Sequence, residues 1–272
     1  MRLRFLCNIS TILFHVKTSK TNNSKLLLTF IFILAGVLSL QAQQKKAFKF
    51  ENLPYHDQKD YHFGFSLGFN RMDFALRPVN NYHTLELGYS GPNQTAEFDT
   101  LYSVLTRANN GFNIGIVSNL SLADQWDLRF IPTLTFGDRN IVYEGFKNFA
   151  PIRRTQQIES TFLDFPLHLK YKSVRMVNTR VYVIGGFKYS HDLASAEDKE
   201  DFEDEILARI RKNDFFYEMG VGLEYYFYYF KFSTEIKASF GMRDILQREN
   251  SMFTNSIERL NSKIVMVSFM FE

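Results

Sequence analysis

The chain has 272 residues, 45% of them hydrophobic, 16% aromatic and 22% charged, with 29 Phe, 14 Tyr and one Trp. That apolar content excludes a disordered chain; six Pro and 14 Gly, the latter single or in pairs, exclude collagen-like and low-complexity readings. The formal charge of +3 is a local excess: Arg2, Arg4, Lys17, Lys20 and Lys25 lie in residues 1–42 with no acidic residue, which leaves 27 basic against 29 acidic side chains downstream. With that excess goes the case for a nucleic-acid partner.

The first predicted element is a leader. Lys25 precedes a 15-residue apolar run, Leu26 to Leu40, followed by Gln41 and Ala42. A basic flank, a short apolar stretch and a small residue at the cut form a secretory signal, expected to be cleaved after Ala42. A membrane helix would need ~20 apolar residues. The 24 residues ahead of Lys25 are long for such a leader, as if the start were placed too far upstream. Cys7, the single cysteine, falls in this region, so the mature chain has no disulfide framework and no Cys-based zinc site. Residues 43–61 then read as a periplasmic lead-in and 62–272 as one barrel.

Downstream, eight segments alternate with period two, the pattern of strands with two different faces. His62–Phe74 sets Phe63, Phe65, Leu67 and Phe69 against Gly64, Ser66, Gly68 and Asn70. Gly111–Leu120 sets Phe112, Ile114 and Ile116 against Asn113 and Gly115, and Gln125–Phe136 sets Trp126, Leu128 and Phe130 against Asp127 and Arg129. Glu159–Lys172 sets Leu163, Phe165, Leu167 and Leu169 against Asp164, His168 and Lys170; Thr179–Ser190 sets Val181, Val183 and Phe187 against Arg180 and Lys188. Asp214–Tyr226 sets Phe215, Tyr217, Met219 and Val221 against Glu218 and Glu224, and Phe230–Phe240 sets Phe232 and Ile236 against Lys231, Glu235 and Lys237. The C-terminal run carries Val265, Val267, Phe269 and Phe271 on one face.

A secreted β-sandwich or lipocalin-like barrel would turn those apolar faces inward. Segment length favours the opposite orientation, since about 10–14 residues exceeds the usual strand and suits a tilted membrane crossing. Aromatic residues crowd the segment ends, as in interfacial girdles, with Tyr225–Phe230 the densest cluster. The connections measure about 36, 4, 22, 6, 23, 3 and 21 residues in order. Long and short alternate, as for short periplasmic turns and long external loops. The predicted fold is all-β: an eight-stranded antiparallel up-and-down transmembrane β-barrel. Asp127, Arg129, Asp164, Lys170, Arg180, Lys188, Glu218, Glu224, Lys231, Glu235 and Lys237 face its interior and are expected to interlock as ion pairs, filling the lumen. A narrow channel is the competing reading.

The stretch STFLDFPLHLKYKSVR (Ser160–Arg175), a short turn, and TRVYVIGGFKYS (Thr179–Ser190) resemble the PorT-type outer-membrane barrels of Bacteroidetes. Asn52–Asn70 resembles the approach to their first strand. The resemblance covers most of residues 50–272 and implies an accessory role in type IX protein secretion, with gliding motility in some species. It implies an outer-membrane location with both termini periplasmic, and as partners outer-membrane lipid and other secretion-system proteins. Many such barrels end on an aromatic residue, whereas here Phe271 is followed by Glu272.

Common signatures for hydrolases, nucleotide loops and zinc (GxSxG, Walker-type, HExxH, CxxC) are absent from the sequence. His56, Asp57 and His62 lack helical or hairpin spacing for a metal, and read as a polar lead-in. His191 and Asp192 are neighbours in a strand and so face opposite ways, which opposes a catalytic pair. No catalytic residue, metal or cofactor is expected, and the protein is read as non-enzymatic. The loops are the expected functional surface. Ser195–Asp214 is acidic first and basic last, matching a helix dipole, and Phe202, Ile206 and Ile210 recur every four residues as one apolar stripe. That stripe either packs on the protein's own rim or docks a partner. The same two readings hold for Phe98, Leu101, Val104 and Leu105 in the first long loop. A stand-alone barrel that binds a surface ligand or host factor is the alternative function, and a loop-borne enzyme a third.

Overall fold

A computed structural model describes residues 51–80, 98–194, 208–248 and 252–272. The leader, residues 81–97, and Phe202 and Ile206 of the apolar stripe lie outside the described residues. Eleven strands are present among the described residues: β1 (Tyr61–Pro78), β2 (Thr100–Ala123), β3 (Trp126–Phe130), β4 (Thr133–Lys147), β5 (Ala150–Lys172), β6 (Thr179–Asp192), β7 (Arg209–Ile210), β8 (Asn213–Tyr226), β9 (Lys231–Gly241), β10 (Leu246–Gln247) and β11 (Ile257–Phe271). A short helix, α1 (Met252–Asn255), precedes β11.

The main sheet is a closed antiparallel ring. β1 pairs with β2 on one side and with β11 on the other, from Phe65 opposite Phe271 to Pro78 opposite Ile257. Between them β2 pairs with β3 and β4, both of these pair with β5, and the ring continues through β6, β8 and β9 to β11. β3 and β4 are two halves of one stave. The break falls at Ile131–Pro132, where proline has no N–H to give the ladder; its carbonyl still accepts from the Ile116 N–H at 3.1 Å. The result is eight staves with no open edge, the arrangement that satisfies every backbone group inside a bilayer.

Side chains sort as the alternation predicts. Phe63, Phe65, Leu67, Phe69, Ile114, Ile116, Leu167, Val183, Val221 and Ile236 are exposed on the outer surface, while Ser66, Asn113, Asp127, Lys170, Glu218 and Glu224 are buried. Sandwich and lipocalin arrangements would reverse these faces. Aromatic pairs ring the outside at two heights. Trp126 meets Tyr171 at 4.9 Å near the short turns, and Phe112 stacks on Phe136 at 4.8 Å and Tyr189 meets Phe215 at 5.1 Å toward the other end.

The second long connection is not a loop. Residues 137–158 continue β4 and β5 as a hairpin paired without interruption from Thr133–Asp164 to Lys147–Ala150. Its two-residue turn, Asn148 and Phe149, has φ of 52° and 63°. Positive φ at both central positions is the turn that matches strand twist. Beyond the bilayer neither face meets lipid, so the strands keep their pairing but lose the alternation. β4 shows this as three consecutive buried residues, Ile141, Val142 and Tyr143.

At the long-connection end an apolar cap covers the ring. Phe74, Phe98, Leu101, Val104, Ile141, Tyr143, Ile210, Ile245, Leu246, Ile257 and Leu260 pack as one buried cluster, with Phe253 of α1 against it. Phe98, Leu101 and Val104 thus face the protein's own rim, and Leu105 stays exposed. Ile210 sits in β7, 5% exposed and paired with Leu246 of β10. The helix predicted over Ser195–Asp214 therefore does not extend through Arg209. The backbone edge of β10 supplies the hydrogen bonds that the last helical turn would have used.

Candidate functional site

The lumen is a stack of interlocked charges. Nearest the short turns, Lys172 Nζ lies 2.6 Å and Lys170 Nζ 3.7 Å from the Asp127 carboxylate. Lys170 also donates to Glu224, which Lys231 approaches at 3.6 Å and Arg180 at 4.0 Å. Arg129 donates to Glu235 at 2.9 Å, and the Tyr182 hydroxyl donates to the same carboxylate at 2.9 Å. At mid-height Glu218 receives Lys237 at 3.1 Å and Lys188 at 3.7 Å, with His168 Nε2 at 2.5 Å. Lys188 reaches Asp164 at 3.3 Å. Higher still, Arg139 donates to Ser160 at 2.7 Å and Ser262 at 2.9 Å, with Asp192 at 3.8 Å and the Phe74 ring beneath its guanidinium at 4.4 Å.

Each charge that the alternation turned inward is buried, and the interior is filled by partners of opposite sign. Three members of the network lie beyond the alternating segments, and one of them, Asp192, continues the inward series Lys188, Ser190 by one step of two. Arg139 lies beyond the alternating stretch Gln125–Phe136, where no period of two marks its face. Glu272 extends the inward series Ser268, Met270 by one more step of two. Its carboxylate pairs with Lys231 and lies 3.8 Å from Arg129, so the residue after Phe271 closes the network. Counting faces to the last residue would have found it.

Packing in this interior leaves little slack. A Cβ at Gly222 would sit 2.3 Å from Tyr182 Cζ, the ring whose hydroxyl holds Glu235. Gly222→Ala is expected to destabilise the barrel by about 1–3 kcal/mol through overpacking. The check is the temperature at which the folded, fast-migrating form disappears on a heat-modifiability gel; an unchanged midpoint would show that Tyr182 can move aside.

The short-turn end is closed by the chain's own lead-in. A single 3-10 turn, His56–Gln58, lies against it. Arg175 donates to the Asn52 carbonyl, and the Asn52 side chain donates to the Tyr226 carbonyl at 3.0 Å. Asp57 accepts from Arg180 at 2.8 Å and from the Tyr226 hydroxyl at 3.0 Å, with Arg175 at 3.7 Å. The His56 ring stacks on His62 at 4.1 Å, and the Arg175 guanidinium covers Tyr226 at 3.7 Å. So His56, Asp57 and His62 meet, but as a stack and an ion pair, with Asp57 committed to arginine. Burial opposes ionisation of Asp57. The neighbouring His56, the Arg180 charge, the Tyr226 hydroxyl and the Arg175 charge outweigh it and hold the carboxyl far below the usual carboxylate range.

A pH dependence follows. A depressed folded-state pKa means that the latch is at full strength above the unfolded carboxylate value of 3.8 and weakens only as pH falls below it. A spin label at Tyr55, an exposed residue of the lead-in, should stay immobile through mild acid and loosen in strong acid. Asp57→Asn should loosen it at neutral pH.

His191 and Asp192 face opposite ways. His191 Nδ1 lies 2.6 Å from Asn213 Oδ1 on the outer side, while Asp192 turns inward to Arg139.

A family model described as outer membrane protein beta-barrel domain matches residues 41–247. The chain belongs to that family. No curated protein matches it. Among solved structures it is similar to the outer membrane protein OprG of Pseudomonas aeruginosa, at 11% identity over 82% of this chain and 95% of that one, with a TM-score of 0.41. It is also similar to Neisserial surface protein A, at 10% identity over 78% and 98% of the two chains and a TM-score of 0.38. The N-terminal β-barrel domain of Pseudomonas aeruginosa OprF gives 14% identity over 76% and 97%, with a TM-score of 0.28. For a member of this family the outer apolar band is the lipid-facing surface, and the outer membrane is its place. The surfaces left for recognition are the two ends and the hairpin that projects past the barrel.

Proposed function

We propose that this protein is a non-enzymatic accessory of type IX protein secretion, held in the outer membrane with both termini periplasmic and exported by a leader cut after Ala42. What supports the secretion role is the resemblance of Ser160–Ser190 and Asn52–Asn70 to PorT-type barrels. Those segments form the second half of β5, nearly all of β6, the 3-10 turn and the start of β1, and they contribute Asp57, Asp164, Lys170, Arg180 and Lys188 to the latch and the lumen. A lumen packed with ion pairs under an apolar cap suits a barrel that works through its ends rather than as a conduit. Its partners on this reading are other secretion components. The test is deletion of the gene followed by assay of exported cargo in the medium. Cargo retained in the deletion strain, and released again on complementation, is the expected result; unchanged export would remove the secretion role.

A second reading has an observation in its favour. The β4–β5 hairpin extends well past the membrane-spanning rows and presents Phe146, Phe149 and the adjacent Tyr102 exposed near its tip. Such a projection suits a stand-alone barrel that binds a surface ligand. Deletion that leaves export intact but removes binding of that ligand would favour it.

A further inference from the structure

At the long-connection end, on the outside of the barrel, the outward column of β8 changes character step by step. Val221, Met219, Tyr217 and Phe215 are exposed apolar or aromatic side chains; Asn213, the first residue of the strand, and Arg211, two residues before it, are exposed as well. On the neighbouring stave, Met242 is level with Phe215, whose carbonyl accepts from the Met242 N–H at 2.8 Å, and Arg243 comes next. The Arg243 guanidinium sits 5.9 Å from the centre of the Phe215 ring. Arg211, Asn213, Arg243 and Gln247 line a groove of about 320 Å³ just beyond the aromatic belt.

The groove is equipped to donate. Asn213 Oδ1 is already used by the Tyr189 hydroxyl at 2.9 Å and by His191 at 2.6 Å, so the amide nitrogen is its remaining polar group. Neither guanidinium is paired with a carboxylate among the described residues. Among the described residues the acids nearby are engaged elsewhere: Asp244 accepts from Arg248 at 3.0 Å and from the Leu260 N–H at 3.0 Å, and Glu258 pairs with Arg77 at 3.0 Å. Two cations and an amide donor converge where acyl chains give way to headgroups. Guanidinium groups match phosphate oxygens in a planar fork, and the aromatic belt marks the interface height.

We propose that this groove binds the phosphate of a membrane-lipid headgroup, with Arg211 and Arg243 on the phosphate and Phe215, Tyr217 and Met242 against the adjoining acyl chain. The inference rests on the barrel's place in the membrane and is independent of any role in secretion. A free phosphate ion would meet the same arginines without the apolar contacts.

The experiment is native mass spectrometry of the full mature protein in neutral detergent. It is titrated separately with dioctanoyl phosphatidic acid, with dioctanoylglycerol as the chain-matched uncharged lipid, and with inorganic phosphate. Phosphatidic acid should bind best. Its affinity should fall about 30-fold in Arg211→Gln/Arg243→Gln, at roughly tenfold or less per interfacial cation, and less in Arg243→Gln alone. Phe215→Ala should weaken the lipid without affecting inorganic phosphate. Heat-modifiability establishes that each variant is folded, and Arg243→Gln, in an exposed turn, serves if the double variant is not. Equal retention of phosphatidic acid by wild type and the folded arginine variants would overturn the site. Inorganic phosphate binding as tightly as phosphatidic acid would overturn the lipid assignment.

Discussion

Glu224→Leu is expected to destabilise the folded barrel by about 3–5 kcal/mol, the range for breaking a buried ion pair from one side. The carboxylate is fully buried and meets three cations, with Lys170 in direct contact, Lys231 at 3.6 Å and Arg180 at 4.0 Å. Leucine fills much of the volume but leaves those cations without their shared anion. The loss should appear as a lower urea midpoint in neutral detergent. Adding Lys170→Met should recover part of the loss, because the pair removed together leaves less uncompensated charge than one partner removed alone. A Glu224→Leu protein as stable as wild type would mean that water, not Glu224, balances the cations, and the lumen would then have to be hydrated rather than packed.

The second large effect lies on the opposite face. Val183, Val221 and Ile236 stand side by side on β6, β8 and β9, at 44%, 55% and 58% exposure. Val183→Arg places a charge against lipid at one end of that row, at an expected cost of about 2–4 kcal/mol. Phe165→Arg, nearer the aromatic belt, should cost less because the side chain can reach the interface. Folding into lipid vesicles, followed by denaturant titration, gives both numbers. If Val183→Arg folded as stably as wild type while a water-soluble thiol reagent modified Val183→Cys, the outer face would be in water and the membrane orientation would be lost.

Residue by residue, the membrane-spanning part was legible because two solvents impose a period of two. Lipid outside and packed charge inside give each strand residue one of two opposite demands, so Asp127, Arg129, Lys170, Glu218 and Glu224 announce their face beside Phe165, Val183 and Val221. The eight staves and their antiparallel order follow from that signal and from the alternation of connection lengths. The same logic reaches Glu272, which the expectation of a terminal aromatic obscured.

Above the membrane the two demands merge. In β4 beyond Gly137, both faces meet protein or water, so Ile141, Val142 and Tyr143 are buried together and the hairpin that carries them has the sequence pattern of a loop. Ile210 shows the same limit. Its four-residue spacing with Ile206 and Phe202 is a helical pattern, but pairing with β10 made it part of a strand. Local periodicity records which residues want burial; it does not record which backbone edge will be nearby.

By itself, then, the sequence determined the all-β class, the face of each spanning residue and the charge content of the interior. Tertiary structure alone decided which charges meet. Asp57 finds Arg180 across 123 positions, and Arg129 finds Glu235 across 106. It likewise decided that the lead-in closes the short-turn end and that Arg211 and Arg243 share one groove at the rim. The reason is physical. Burial preference is a property of each residue and its near neighbours, whereas an ion pair depends on the register and closure of the whole ring.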